Sequence, residues 1–125
     1  MKRLVVDLDN TLTQGEKGDY ANALPRTDVI NSLRDYQQQG FEIVIASSRN
    51  MRTHNNNLGK IIAETSPIII EWLKKHRVPY DELWLGKPWC GDEGFYIDDR
   101  AIRPQEFITM SHADILAMLE KEKGS

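Results

Sequence analysis

Two carboxylates stand two residues apart near the start of the chain, Asp7 and Asp9, with the hydroxyl of Thr11 two residues further on. They end a short apolar run, Arg3-Leu4-Val5-Val6. A second acidic pair, Asp98-Asp99, ends another apolar run, Phe95-Tyr96-Ile97. Between the two pairs in chain order, Ser47-Ser48-Arg49 follows the apolar stretch Phe41 to Ala46, and Lys87 follows Glu82 to Leu85. Like charges at short range raise a carboxylate pKa, so a cation or metal is the simplest way to keep both Asp7 and Asp9 ionised. Hydroxyls, a lysine and arginines concentrated at such a site would suit an anionic ligand.

For these groups to meet, the apolar runs must be neighbours. Consecutive apolar positions are the pattern of strands buried on both faces of a parallel sheet. In open sheets of that kind, ligands bind outside the carboxyl ends of the strands. The chain reads as a strand over residues 3–7, then a polar, Gly-containing loop or short flap over about 12–26. Thr27 is the expected N-cap of a helix running to about Gln39, with Val29, Ile30, Leu33 and Tyr36 or Gln37 at helical spacing and Gly40 as its C′ residue. A second strand covers Phe41 to Ala46 and a loop covers Asn50 to Gly59. Ser66-Pro67 begins a helix in N-cap and N1 order that reaches about His76. Strands are expected at Glu82–Leu85 and Gly94–Asp98, and an edge strand at Phe107–Met110. Ser111 to Asp114 resembles a capping box for a last helix with Ile115, Leu116, Met118 and Leu119 as its stripe. Alternating strands and helices predict an α/β fold. The expected form is a single Rossmann-like domain over residues 1–125, with a mainly parallel sheet, helices on both faces and no separate cap domain. All four polar strand ends then lie along one edge.

Composition narrows the classes. A chain of 125 residues, 40% hydrophobic and 28% charged, has the make-up of one soluble globular domain. A net charge of −3 gives no broad basic face for nucleic acid. No apolar run approaches a membrane span, and the three apolar residues before Asp7 are too few for a signal peptide. The single cysteine, Cys90, excludes an intramolecular disulfide, so a reducing compartment and a cytoplasmic location are expected.

In their chain order, Asp7-x-Asp9-x-Thr11, Ser47, Lys87 and Asp98-Asp99 resemble the four motifs of the haloacid dehalogenase superfamily of phosphohydrolases. The resemblance implies Mg²⁺-dependent phosphomonoester hydrolysis. Asp7 would attack phosphorus and form an aspartyl-phosphate, and Asp9 would serve as general acid and then general base. Ser47, with backbone N–H groups near Leu8, Asn10 or Ser48, would hold phosphate oxygens, and Lys87 would neutralise charge and orient Asp7. Mg²⁺ would take Asp7, the Asp9 carbonyl and the fourth motif, with Asp99 as direct ligand and Asp98 behind it. Arg49 and Arg52 would bind a second anionic group of the substrate, or else lie solvated in their loop.

With no room for a cap, the chain resembles small phosphatases of capsular polysaccharide biosynthesis. Ser48-Arg49-Asn50-Met51-Arg52-Thr53, Gly86-Lys87-Pro88-Trp89-Cys90 and Phe95 to Ile102 carry that narrower likeness. It implies a small phosphorylated substrate such as a phosphosugar, and no nucleic acid or membrane partner. A lid would come from Trp89, from the flap, or from a second copy of the chain in a homodimer. Two readings stand beside it: a nucleotidase or phosphomutase, and a non-catalytic phosphate-binding module of the same fold. Asp9 argues against carbon–halogen cleavage.

Overall fold

In a computed structural model that describes residues 1–15 and 19–124, the chain forms two compact units, Met1–Trp89 and Cys90–Ser125. The first holds β1 (Arg3–Asp7), β2 (Thr13–Gln14), β3 (Leu24–Pro25), α1 (Thr27–Gln38), β4 (Glu42–Ser47), α2 (Leu58–Lys60), α3 (Ser66–Lys75) and β5 (Glu82–Leu85). The second holds α4 (Pro104–Thr109) and α5 (His112–Gly124).

The first unit is built on a parallel sheet in the order β1-β4-β5, which bears out the α/β class. Register runs from Arg3↔Glu42 to Asp7↔Ala46, and from Val44↔Glu82 to Ser47↔Leu85. Leu4, Val6, Ile43, Ile45 and Leu83 therefore share one face. Ile43 and Ile45 are fully buried, as are Leu33 of α1 and Ile69 and Leu73 of α3. Both crossovers run in the same direction across the sheet. Among the described residues no cap domain is inserted.

Local chemistry explains most of the boundaries. Val29, Ile30, Leu33 and Tyr36 of α1 are buried at three- and four-residue spacing. Gly40, at φ +91°, ends the helix in a left-handed turn that a side chain would strain. There Phe41 N–H donates to the Tyr36 carbonyl and Gly40 N–H to that of Gln37, while the two rings meet edge to face at 5.0 Å. Thr27 is not the cap expected of it. The residue before the helix is Arg26, and the Val29 N–H is taken by Asp28 Oδ1 at 2.8 Å.

Helical structure also starts earlier than Ser66. Asn57 caps α2 by accepting from Lys60 N–H at 3.1 Å, and a π-helical stretch, Ile61–Thr65, runs directly into α3. Pro67 lacks an N–H, and the wider π turn before it absorbs that missing rung. Asn55 and Asn56 take left-handed turns at φ +52° and +62°, as turn chemistry at this Asn run anticipates.

In the second unit, taken by itself, residues 94–98 form no strand, and 107–109 belong to helix α4 rather than an edge strand. Pro104 opens α4 at its first turn, and Arg103 N–H donates to Glu106 Oε1 at 2.9 Å. Ser111 caps α5 as expected, accepting from Asp114 N–H at 3.1 Å. Among the described residues no helix is long and apolar enough to cross a membrane.

Candidate active site

The carboxyl ends of β1, β4 and β5 are level, so Asp7, Ser47 and the turn after Leu85 share one edge of the sheet. Beyond Asp7 the chain turns sharply about the fully buried Leu8, whose carbonyl accepts N–H groups from Thr11, Leu12 and Thr13 at 2.8–3.3 Å. Asn10 sits at φ +63° in this turn and spends its N–H on Thr13 Oγ1 at 3.1 Å.

Asp7 is gripped from two sides. Thr11 Oγ1 donates to Oδ2 at 3.1 Å, and Lys87 Nζ stands 3.4 Å from Oδ1. Lys87 is carried there by Gly86, at φ +87°, and by its own N–H, which donates to the Ser47 carbonyl at 3.2 Å. Burial pushes the Asp7 carboxyl above its ordinary range, while Lys87 and Thr11 pull it back and the Asp9 charge adds a last, small upward push. Desolvation, not repulsion between the two aspartates, is therefore what Asp7 works against. The cation inferred from the spacing is present for Asp7 as Lys87.

For Asp9 the cation is Arg49. Its Nε donates to Oδ2 at 3.1 Å and its Nη2 to Oδ1 at 2.7 Å, a two-pronged pair in which the arginine side chain is 1% exposed. The Arg49 backbone N–H donates to Ser47 Oγ at 3.0 Å, and Tyr20 covers the guanidinium with its ring centroid 4.1 Å away. Arg49 is thus buried against Asp9 rather than solvated. Its role follows from β1–β4 register, which sets the loops after Asp7 and Ala46 side by side. The sequence holds that signal only for a reader who already knows that these strands are neighbours.

Within the segment expected as a flap, β2 pairs with β3 as a small antiparallel ribbon. Arg26 N–H donates to the Leu12 carbonyl at 2.8 Å, and the buried Trp72 Nε1 donates to the Ala23 carbonyl at 2.8 Å. Residues 16–18 of this segment lie outside the described residues.

Of the residues singled out from sequence, Asp7, Asp9, Ser47, Arg49 and Lys87 come together on the first unit. Ser47 is buried, Ser48 is half-buried beside it, and Asn10 and Arg52 are exposed. Thr11, quoted only as part of a motif, proves to be a direct partner of Asp7. Asp98 and Asp99 belong to the second unit, where Asp98 Oδ1 accepts from Arg100 N–H at 2.8 Å in a turn.

Among the described residues, neither unit by itself gathers three His, Cys, Asp or Glu side chains that could hold a metal. The first unit does offer hard oxygen donors: the Asp7 carboxylate and the Asp9 carbonyl, which accepts no backbone N–H among the described residues. These donors fit a Mg²⁺-like ion, which favours carboxylate and carbonyl oxygen. The Asp9 carboxylate is committed to Arg49.

No protein-family model matches the chain, and no curated protein matches it. Among solved structures, it is 62% identical to an MCSG target from Vibrio cholerae, with 98% of this chain and 99% of that one covered and a TM-score of 0.96. A chain of the Pnkp1/Rnl/Hen1 complex is 22% identical over 87% of this chain and 34% of its own length, with a TM-score of 0.51, a likeness of fold alone. A chain of the Pnkp1/Rnl/Hen1 RNA repair complex matches 67% of this chain and 25% of its own at 23% identity and a TM-score of 0.49. With near-complete mutual coverage at that first level of identity, the chain belongs to the family of the Vibrio cholerae target.

Proposed function

We propose that the protein is a Mg²⁺-dependent phosphomonoesterase of the haloacid dehalogenase type, acting through an aspartyl-phosphate on Asp7. The observation that carries this reading is the treatment of one carboxylate. Asp7 is half-buried and held between Thr11 and Lys87 at the mouth of a parallel sheet, with a second aspartate two residues on. A desolvated carboxylate beside a lysine is a strong nucleophile whose charge is partly offset, as attack on an anionic phosphate requires.

The Asp7 carboxylate attacks phosphorus while the bond to the leaving oxygen breaks and Asp9 gives that oxygen a proton. Asp9 then takes a proton from water as the water oxygen bonds to phosphorus. The Asp7–phosphorus bond breaks and its electron pair returns to the carboxylate. Ser47 accepts from Arg49 N–H, which leaves its own hydroxyl hydrogen to donate to a phosphate oxygen. Lys87 offsets negative charge on the same side as Asp7. Mg²⁺, held by Asp7 and the Asp9 carbonyl, would neutralise charge on the transferring phosphoryl group. The substrate is a small phosphate ester, sugar-linked by the likeness to capsular polysaccharide phosphatases, and the setting is the reducing cytoplasm that a lone cysteine suits.

The test is phosphate release from sugar phosphates, nucleotides and para-nitrophenyl phosphate, with and without Mg²⁺, alongside Asp7→Asn. Metal-dependent release lost in Asp7→Asn is the expected result. Absence of release from folded wild-type protein across the panel overturns the reading.

A further inference from the structure

The geometry points to Arg49 as a positioning residue for the second half of the reaction, in which Asp9 activates water. The inference rests on the phosphatase reading above. It starts from the way this arginine is fixed at every point. Its backbone N–H is on Ser47 Oγ, its Nε and Nη2 are on the two oxygens of Asp9, and Tyr20 covers its flat face. The side chain is 1% exposed, and Nη1 is buried with no hydrogen-bond partner among the described residues. Burying a guanidinium and leaving one of its donors unmatched is costly, and a well-packed apolar side chain would serve stability as well or better. Such an arrangement points to a task other than packing.

The task follows from what the fork does to Asp9. Both carboxylate oxygens accept from Arg49, and each keeps a lone pair. The group is thereby held in one plane and one rotamer. That is what hydrolysis of the aspartyl-phosphate needs: Asp9 takes the proton of water, water oxygen bonds to phosphorus, and the phosphorus–Asp7 bond breaks. Departure of an activated leaving group such as para-nitrophenolate asks little of a proton donor, so formation of the phosphoenzyme depends less on the clamp. Tyr20 is tied to the same function, because its ring lies over the guanidinium with its centroid 4.1 Å away.

Arg49→Lys, which keeps the charge but cannot form the fork, and Arg49→Met are the variants to compare with wild type on para-nitrophenyl phosphate. The expected result is a kcat lowered about 10²-fold, the lower end of what a positioned base contributes. Over the same variants kcat/KM changes only a few-fold, and rapid mixing shows a burst of nitrophenolate near one per site with phosphoenzyme recoverable by acid quench. An equal fall in kcat and kcat/KM without a burst overturns the inference and leaves the phosphatase reading standing. Wild type without metal-dependent turnover removes both. If neither variant folds, the guanidinium proton resonances decide. A slowly exchanging Arg49 Nε–H in wild type that exchanges fast in Asp9→Asn supports the clamp, and unchanged exchange overturns it.

Discussion

Arg3-Leu4-Val5-Val6-Asp7 and Phe95-Tyr96-Ile97-Asp98-Asp99 are the same kind of text, an apolar run closed by carboxylates, yet the two regions differ in structure. The first is a strand whose five residues pair in register with β4, and its terminal carboxylate is gripped by a hydroxyl and a lysine. The second, in a unit whose regular elements are α4 and α5, is not a strand, and Asp98 turns inward on the N–H of Arg100. A strand is a pairing, not a property of a segment: backbone donors and acceptors need a neighbour at about 4.8 Å. The lesson extends to the chemistry. Asp7 is half-buried and contested, whereas Asp98 and Asp99 are exposed in their unit.

Substitutions at the two regions sharpen this contrast. Asp7→Asn takes away the nucleophile and should cut phosphate release by at least about 10³-fold, measured in a discontinuous phosphate assay. Asp99→Asn should leave the protein folded and weaken the Mg²⁺ activation constant on the order of 10–100-fold, read from a magnesium titration of the rate. Equal Mg²⁺ response in Asp99→Asn and wild type would separate the second acidic pair from the site altogether. Thr11→Val removes one hydrogen bond from Asp7 Oδ2 and should lower kcat/KM by roughly five- to ten-fold, the worth of about 1–1.5 kcal/mol.

The smallest effect is on stability, and its sign is fixed by burial. The folded-state pKa of Asp7 is raised above the ordinary value of 3.8, so the neutral acid is the form the fold favours. Whatever that contributes is complete below pH 3.8 and is lost as pH rises through the folded-state value. Without Mg²⁺, Asp7→Asn should therefore melt at or above wild type, with the gap widening from pH 4 to pH 7 in thermal scans. A gap that narrows over that range would mean that Lys87 and Thr11 outweigh desolvation.

Most of the site's membership was legible because its residues follow strands by a fixed distance. Asp7, Ser47 and Lys87 each stand at or within two residues of a strand end, and the parallel register makes such positions neighbours. The role of Arg49 was not legible. Nothing in Ser48-Arg49-Asn50 distinguishes a solvated arginine from one buried against Asp9, forty residues away, with Tyr20 on its face. The strand expected at 107–110 failed for a local reason that the text did contain: Pro104 and Glu106 are a helix start, and they outweigh the apolar pair Phe107-Ile108.

The sequence by itself determined the α/β class, the span of β5, the left-handed stop at Gly40 and the cap at Ser111, since each rests on periodicity or on the conformational limits of one residue. It also determined which groups had the chemistry to matter. Only the tertiary structure decided which cation meets which carboxylate, that Thr13–Gln14 and Leu24–Pro25 pair as a ribbon beside the Trp72 and Arg26 hydrogen bonds, and that desolvation outranks repulsion at Asp7. Those outcomes depend on distances between residues far apart in the chain. Such distances arise from packing and strand register, which no local pattern encodes.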